Sequence, residues 1–179
     1  MIYPENFERK IGFNEIRTLL KGRCLSSLGT EWVDKELHFM HDFEQIKQAL
    51  DEAREYKIFE EQTDEEVETE FFDVREALLR ARPERTFLEE LDLFNLKRSI
   101  ASVLSYAKLF TQKVDDEDLS TTDADTENNR GQIKYLYPAL GKMACDVAVF
   151  PDIIQRIDKI LNKYGKVKDT ASPELLSLR

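Results

Sequence analysis

Between Thr86 and Lys113 the apolar residues Leu93, Leu96, Ile100, Val103, Ala107 and Phe110 recur every three or four positions. That period lays one apolar stripe along a helix, whereas a half-buried strand would alternate residue by residue. A stripe of this length can be buried only against other elements, and the rest of the chain offers more helices. Leu28, Trp32, Val33 and Leu37 repeat the pattern, as do Phe43, Ile46, Leu50, Ala53 and Tyr56. So do Ile153, Ile157, Ile160 and Tyr164, with Ile154 and Leu161 widening the face. Gly and Pro number only 6 and 5, too few to punctuate a sandwich of short strands. The expected fold is all-α, an irregular helical bundle in one domain spanning residues 1–179, with at most one short strand or hairpin arm at Lys166–Thr170.

Capping residues set the expected boundaries. Phe7 and Ile11 precede a break at Gly12, and Asn14 is the expected cap of a second short helix carrying Ile16, Leu19 and Leu20. Ser26 or Ser27 caps the next. Asp42 with Gln45 three residues on forms a capping box for a helix to about Glu60. Glu60 to Glu70 is mostly acidic and expected to be exposed. Asp73 with Glu76 opens a short helix that Pro83 stops. Parts of 133–149 read as helix, with limits blurred by Pro138 and Gly141. Pro151 suits the first turn of a further helix that Gly165 would end in a left-handed cap. Finally Ser172, Pro173 and Glu174 specify a helix start before Leu175, Leu176 and Leu178. Natural chains seldom stop on a well-specified helix start, so residues 172–179 are expected to begin a longer helix, in a chain that is the N-terminal piece of a larger protein.

Charge bears on partners. The formal net charge is −10, so the chain as a whole should repel a phosphate backbone. No run of 18 apolar residues is present for a membrane span. Met1–Glu5 lacks the basic-then-apolar pattern of an export signal, and Cys24 and Cys145 are too few for a disulfide framework, so the expected compartment is the cytoplasm. The 115–130 segment holds seven acidic residues with only Leu119 and Ala124 as apolar members, and is expected to be a flexible acidic loop.

Residues able to carry chemistry are sparse. The six glycines are isolated, so no glycine-rich turn can cradle phosphate. His38 and His41 stand three apart with Asp42 beside them, a spacing that could offer two metal ligands on one helix face; the expectation is instead a solvated junction between helices. Cys24 and Cys145 have no base assignable from sequence and are expected to be buried as small hydrophobes. Arg75, Arg80, Arg82 and Arg85 are the one local positive grouping, and ion pairs with acidic neighbours of the same helices are expected rather than contact with nucleic acid. No catalytic, cofactor-binding, metal-binding or DNA-binding residue is assigned.

Three segments together resemble the N-terminal region of the MutS family, in its type II branch. They are Leu25-Ser26-Ser27-Leu28-Gly29-Thr30-Glu31 with the later Ile46–Ala53; Phe72-Asp73-Val74-Arg75-Glu76-Ala77-Leu78-Leu79-Arg80-Ala81, similar to the family's Asp-Ile-Arg-x-x-Leu-x-Arg-Ala stretch; and Ile157–Leu161 through Gly165–Asp169 to Ala171-Ser172-Pro173-Glu174-Leu175, similar to the approach to the family's lever helix. Phe71-Phe72 replaces a glycine-rich approach common in the type II pattern. The resemblance implies a non-catalytic helical core with the base of a lever, in which Phe94, Ile100, Ile157 and Ile160 would form a rigid apolar core. It also implies a DNA clamp and a dimerising ATPase later in the chain using ATP and Mg, often with a nuclease-like Smr tail, and a parent protein acting on branched DNA or on ribosomes. A stand-alone helical protein-interaction adaptor is the alternative.

Overall fold

The structure is a computed structural model and describes residues 6–63, 67, 69–113, 135–148 and 150–178. The acidic 115–130 segment lies outside them, as does part of the acidic stretch 60–70. Among the described residues the chain is all-α: α1 (Phe7–Lys10), α2 (Phe13–Lys21), α3 (Ser27–Lys35), α4 (Phe43–Gln62), α5 (Arg75–Arg80), α6 (Glu90–Phe110), α7 (Pro138–Cys145), α8 (Pro151–Ile160) and α9 (Pro173–Leu178). Two isolated antiparallel bridges, Lys113 with Tyr135 and Leu161 with Val167, are the extended pairings among them. Among the described residues no helix is long and apolar enough to cross a membrane. The helices group into two compact units. Unit 1 comprises 1–39, 69–100 and 152–179; unit 2 comprises 40–68 and 101–151.

Unit 1 is held largely by polar ties between short helices. Gly12 takes φ +76 and is the N-cap of α2, so Asn14 sits inside the helix rather than at its cap. Arg17 of α2 then reaches Glu8 of α1 at 2.9 Å and the Leu37 carbonyl beyond α3 at 2.6 Å. Ser26 caps α3, its hydroxyl accepting from the Gly29 N–H. Before α5, the Phe72 N–H donates to Ser99 Oγ of α6 at 2.8 Å, which docks the 69–74 strip on that helix. α5 ends at Arg80, ahead of Pro83, and its N-cap position is Val74, which has no side-chain cap.

The end of unit 1 departs from the helical reading in an instructive way. α8 stops at Ile160, and the chain reverses through a tight turn in which Asn162 Oδ1 accepts from the Tyr164 and Lys166 N–H groups at 2.9 and 3.1 Å. Gly165 is left-handed, φ +75, as expected, but it shapes this turn instead of capping the helix. A Cβ there would lie 2.8 Å from Cγ of Phe94, because the Phe94 ring packs against the bare backbone. With the helix over, helical periodicity no longer governs Tyr164, which is exposed, and Ile160 is also exposed on the flank of α8 while Ile157 and Leu161 are buried. Ile160 is therefore not part of the core. The Lys166–Thr170 arm pairs through Val167 alone, and Ser172 then caps α9 by accepting from the Leu175 N–H at 3.2 Å.

Unit 2 is built on rings. Asp42 caps α4 by accepting from Gln45 N–H at 2.9 Å. Further along α4, Phe59 meets Phe110 edge-on at 5.2 Å and Tyr137 at 5.9 Å, with Tyr106 against Phe110 at 5.8 Å. Such edge-to-face pairs each contribute about 0.5–1.5 kcal/mol beyond the area they bury. Leu140 completes the buried centre. On α6 the fully buried residue is Ser102, off the apolar stripe, and Val103 on the stripe is exposed. α7 starts at Pro138 with no cap of its own, and Glu55 of α4 supplies one: its Oε2 accepts from the Ala139 and Leu140 N–H groups at 2.8 and 3.0 Å. A carboxylate at a helix N-terminus satisfies orphan donors and meets the positive end of the helix dipole.

Two stability outcomes follow. Gly165→Ala should cost about 2 kcal/mol or more, since it combines a left-handed alanine with a clash against Phe94, read as a lowered denaturant midpoint with unchanged slope. Glu55→Ala should cost about 1–2 kcal/mol and speed hydrogen exchange at Ala139 and Leu140, with Glu55→Gln retaining part of the protection.

Candidate functional site

The densest polar constellation lies in unit 1, where α3 meets the start of α5. Arg75 places one guanidinium nitrogen 2.6 Å from Glu31 of α3 and 2.6 Å from Asp73, and Lys35 also pairs with Glu31. The hydrogen bond from Arg75, with help from Lys35, pulls the Glu31 carboxyl down to about 2. Arg75, through side chain and backbone N–H, brings Asp73 to about 2 as well. All three side chains are substantially open to solvent, and a shallow cleft of about 480 Å³ beside them is lined by Asp73, Arg75, Glu76 and Leu79. Geometry of this kind fixes α5 to α3. Each carboxylate already has a cationic partner, which argues for a structural clamp over a proton-transfer pair.

Next to it, Arg98 of α6 pairs with Glu70 and lies over the rings of Phe72 and Phe94, at 4.7 and 5.3 Å from their centroids. The Phe94 ring in turn rests on Gly165. Beside Phe94 and Gly165 opens a groove of about 670 Å³, also lined by Phe87, Leu91, Tyr164 and Lys166 with Glu89 and Glu90. Lys166 Nζ bonds Glu90 at 3.0 Å, which together with the Val167 N–H lowers the Glu90 carboxyl from its ordinary range. In unit 2 a smaller cavity of about 230 Å³ lies against Phe59, Gln62, Leu109 and Tyr137.

Residues singled out by spacing fall elsewhere. His38 and His41 lie in the non-helical link between α3 and α4, so the i, i+3 geometry of a helix face never forms. Among the described residues no group of three or more His, Cys, Asp or Glu side chains is gathered for a metal ion. Both cysteines are free. Cys24 is half-buried and its thiol reaches the Leu20 carbonyl at 3.3 Å; Cys145 is exposed at the end of α7, 3.0 Å from the Tyr135 hydroxyl, whose pKa that contact raises. Neither is the fully buried small hydrophobe that was expected. Of the arginines, Arg75 and Arg80 are ion-paired, the latter to Asp92 of α6 at 2.8 Å. Arg75 has one partner beside it in sequence, while Glu31 and Asp92 belong to other helices, a pairing only the tertiary fold brings together.

A second basic grouping escaped the reading by spacing. Between Arg156 and Lys168 stand five cationic side chains, Arg156, Lys159, Lys163, Lys166 and Lys168, against the one carboxylate of Asp158. They lie in one short stretch of sequence that turns back at Asn162–Gly165. The Asn-x-x-Gly pattern was the available signal for that turn.

Because both carboxyls of the clamp are depressed from ordinary values of 4.5 and 3.8 to about 2, their stabilisation is full above those values and is lost as pH falls toward 2. Carboxyl titration by NMR should place the Glu31 and Asp73 midpoints near 2, and Arg75→Met should raise both, with Asp73 keeping the part of its shift that comes from the backbone N–H of residue 75 and Glu31 the part that comes from Lys35.

No family model matches the chain, and no curated protein or solved structure matches it.

Proposed function

We propose that this chain is a non-catalytic helical core and lever-base module of a type II MutS-like protein, which couples a downstream ATPase to a DNA clamp. The observation that carries the reading is how the third resembling segment folds. Phe94 on Gly165 and Lys166 on Glu90 tie the tight turn to α6, Lys97 on Asp158 ties α8 to the same helix, and Ser172 caps the start of α9 further along the chain. A helix whose base is fixed to a long neighbour can move with it as a rigid body, which is what a lever requires. α6 has 21 residues and, at about 1.5 Å per residue, is about 30 Å long.

Exposed apolar side chains support the need for further contacts. Leu19, Leu25 and Trp32 on and around α2 and α3, and Phe43 and Leu50 on α4, are exposed. Within this reading the rest of the same chain covers them, the parent forms a homodimer through its ATPase, and ATP with Mg and branched DNA or ribosomes bind in other domains. The same exposed faces favour the second reading, a stand-alone helical adaptor that docks partner proteins.

The two separate on the gene. A reading frame that continues past codon 179 through a long helical pattern into GxxxxGK[ST] supports the coupling role, and a stop codon there hands the lead to the adaptor. For the protein itself the expected outcome is no ATP turnover above background and no duplex DNA binding tighter than about 1 μM at physiological salt, measured by coupled phosphate release and by fluorescence anisotropy. Turnover or tighter binding by this chain would overturn the non-catalytic reading.

A further inference from the structure

Residues 69–80, the extended strip together with α5, bury little. Ala77 is the one buried side chain among them, Leu78 and Leu79 are exposed, and Phe71, Phe72 and Val74 are half-buried. The ties that fasten the segment are polar and lie near the surface. Glu70 pairs with Arg98 of α6, Arg75 with Glu31 of α3, and Arg80 with Asp92 of α6, and each of these side chains is at least a quarter exposed. Ser99 serves both backbone groups of Phe72, its hydroxyl accepting from the N–H at 2.8 Å and donating to the carbonyl at 3.4 Å. Screened surface contacts of this kind contribute little each, so a segment that relies on them opens at lower free energy than the fold as a whole.

The chain beyond α5 supplies a hinge. Between Pro83 and Thr86 it turns tightly, the Thr86 hydroxyl donating to the Pro83 carbonyl at 2.6 Å, and Arg85 takes a left-handed φ of 67, which a residue with a side chain keeps only where its surroundings hold it there. We propose that 69–80 is a flap that opens about this turn as one unit, parting Glu70, Arg75 and Arg80 from their partners together and uncovering Arg98 and Ser99 of α6. Closed, the Arg98 guanidinium lies over the Phe72 ring, 4.7 Å from its centroid. Open, that guanidinium and the Ser99 hydroxyl face solvent, while Arg75 keeps Asp73, which travels with it inside the flap. Ionic strength sets the balance, because the side-chain latches are ion pairs. This opening is independent of the MutS-like reading.

Amide hydrogen exchange followed by NMR on the whole chain tests it. The Phe72, Leu78 and Ala81 amides, bonded to Ser99, Val74 and Ala77, should exchange as a group and faster than the Leu161 amide, which is bonded to Ile157. Raising salt from about 0.05 to about 0.5 M should speed the group about three-fold. Arg80→Ala, at the opposite end of the flap, should speed exchange at Phe72 about three-fold. Ser99→Ala should speed it at Leu78 and Ala81 about ten-fold. An unchanged rate at Leu161 in both variants shows that the rest of unit 1 stays folded. Effects confined to amides beside each substitution, exchange of Phe72 at the rate of Leu161, or indifference to salt would each overturn the flap.

Discussion

The contact between Phe94 and Gly165 is the constraint on which much of unit 1 depends. A side chain at 165 would occupy the space the ring fills, so the turn can approach α6 only because that position is glycine. Once the turn is seated, Lys166 and the Val167 N–H reach Glu90, and Val167 pairs back to Leu161. The opposite side of Phe94 faces Arg98, which is held by Glu70 and shared with Phe72. One ring thus links the turn after α8, the α6 helix and the strip ahead of α5.

Unit 2 solves its packing problem differently. It gathers Phe59, Phe110, Tyr106 and Tyr137 into an edge-to-face cluster and borrows Glu55 to complete the start of α7. Tyr56 joins the edge of that cluster, and burial together with the neighbouring Tyr106 and Glu60 raises its hydroxyl well above the ordinary range. A tyrosine kept neutral in this way can contribute its ring to the cluster and its hydroxyl to Glu60 without a charge to solvate. In unit 1 the corresponding work is shared among ion pairs at or near the surface, which hold orientation more than they add stability.

Local signals in the sequence were strong where one residue acts on its immediate neighbours. Ser26, Asp42 and Ser172 cap the helices their spacing marked, and Pro151 and Pro173 occupy first turns, because a cap needs only the next few N–H groups. The break at Gly12 was legible for the same reason. The reading failed where the outcome depended on distant chain. Tyr164 continued a helical stripe on paper but lies past the helix end, and Val103 shared the α6 stripe yet yielded the buried position to Ser102. His38 and His41, by contrast, lie exposed in the non-helical junction between α3 and α4 that was expected of them.

The helical class, the caps at Ser26, Asp42 and Ser172 and the break at Gly12 were therefore determined by the sequence alone, since each follows from backbone preference and period within a few residues. Tertiary structure decided which charges and rings meet. Arg75 finds Glu31, Glu55 finds the amides of α7, and Lys166 finds Glu90, all across separations that no local rule encodes. Such contacts depend on the directions in which whole helices leave their caps. That is a property of packing, and it appears only once the chain has folded.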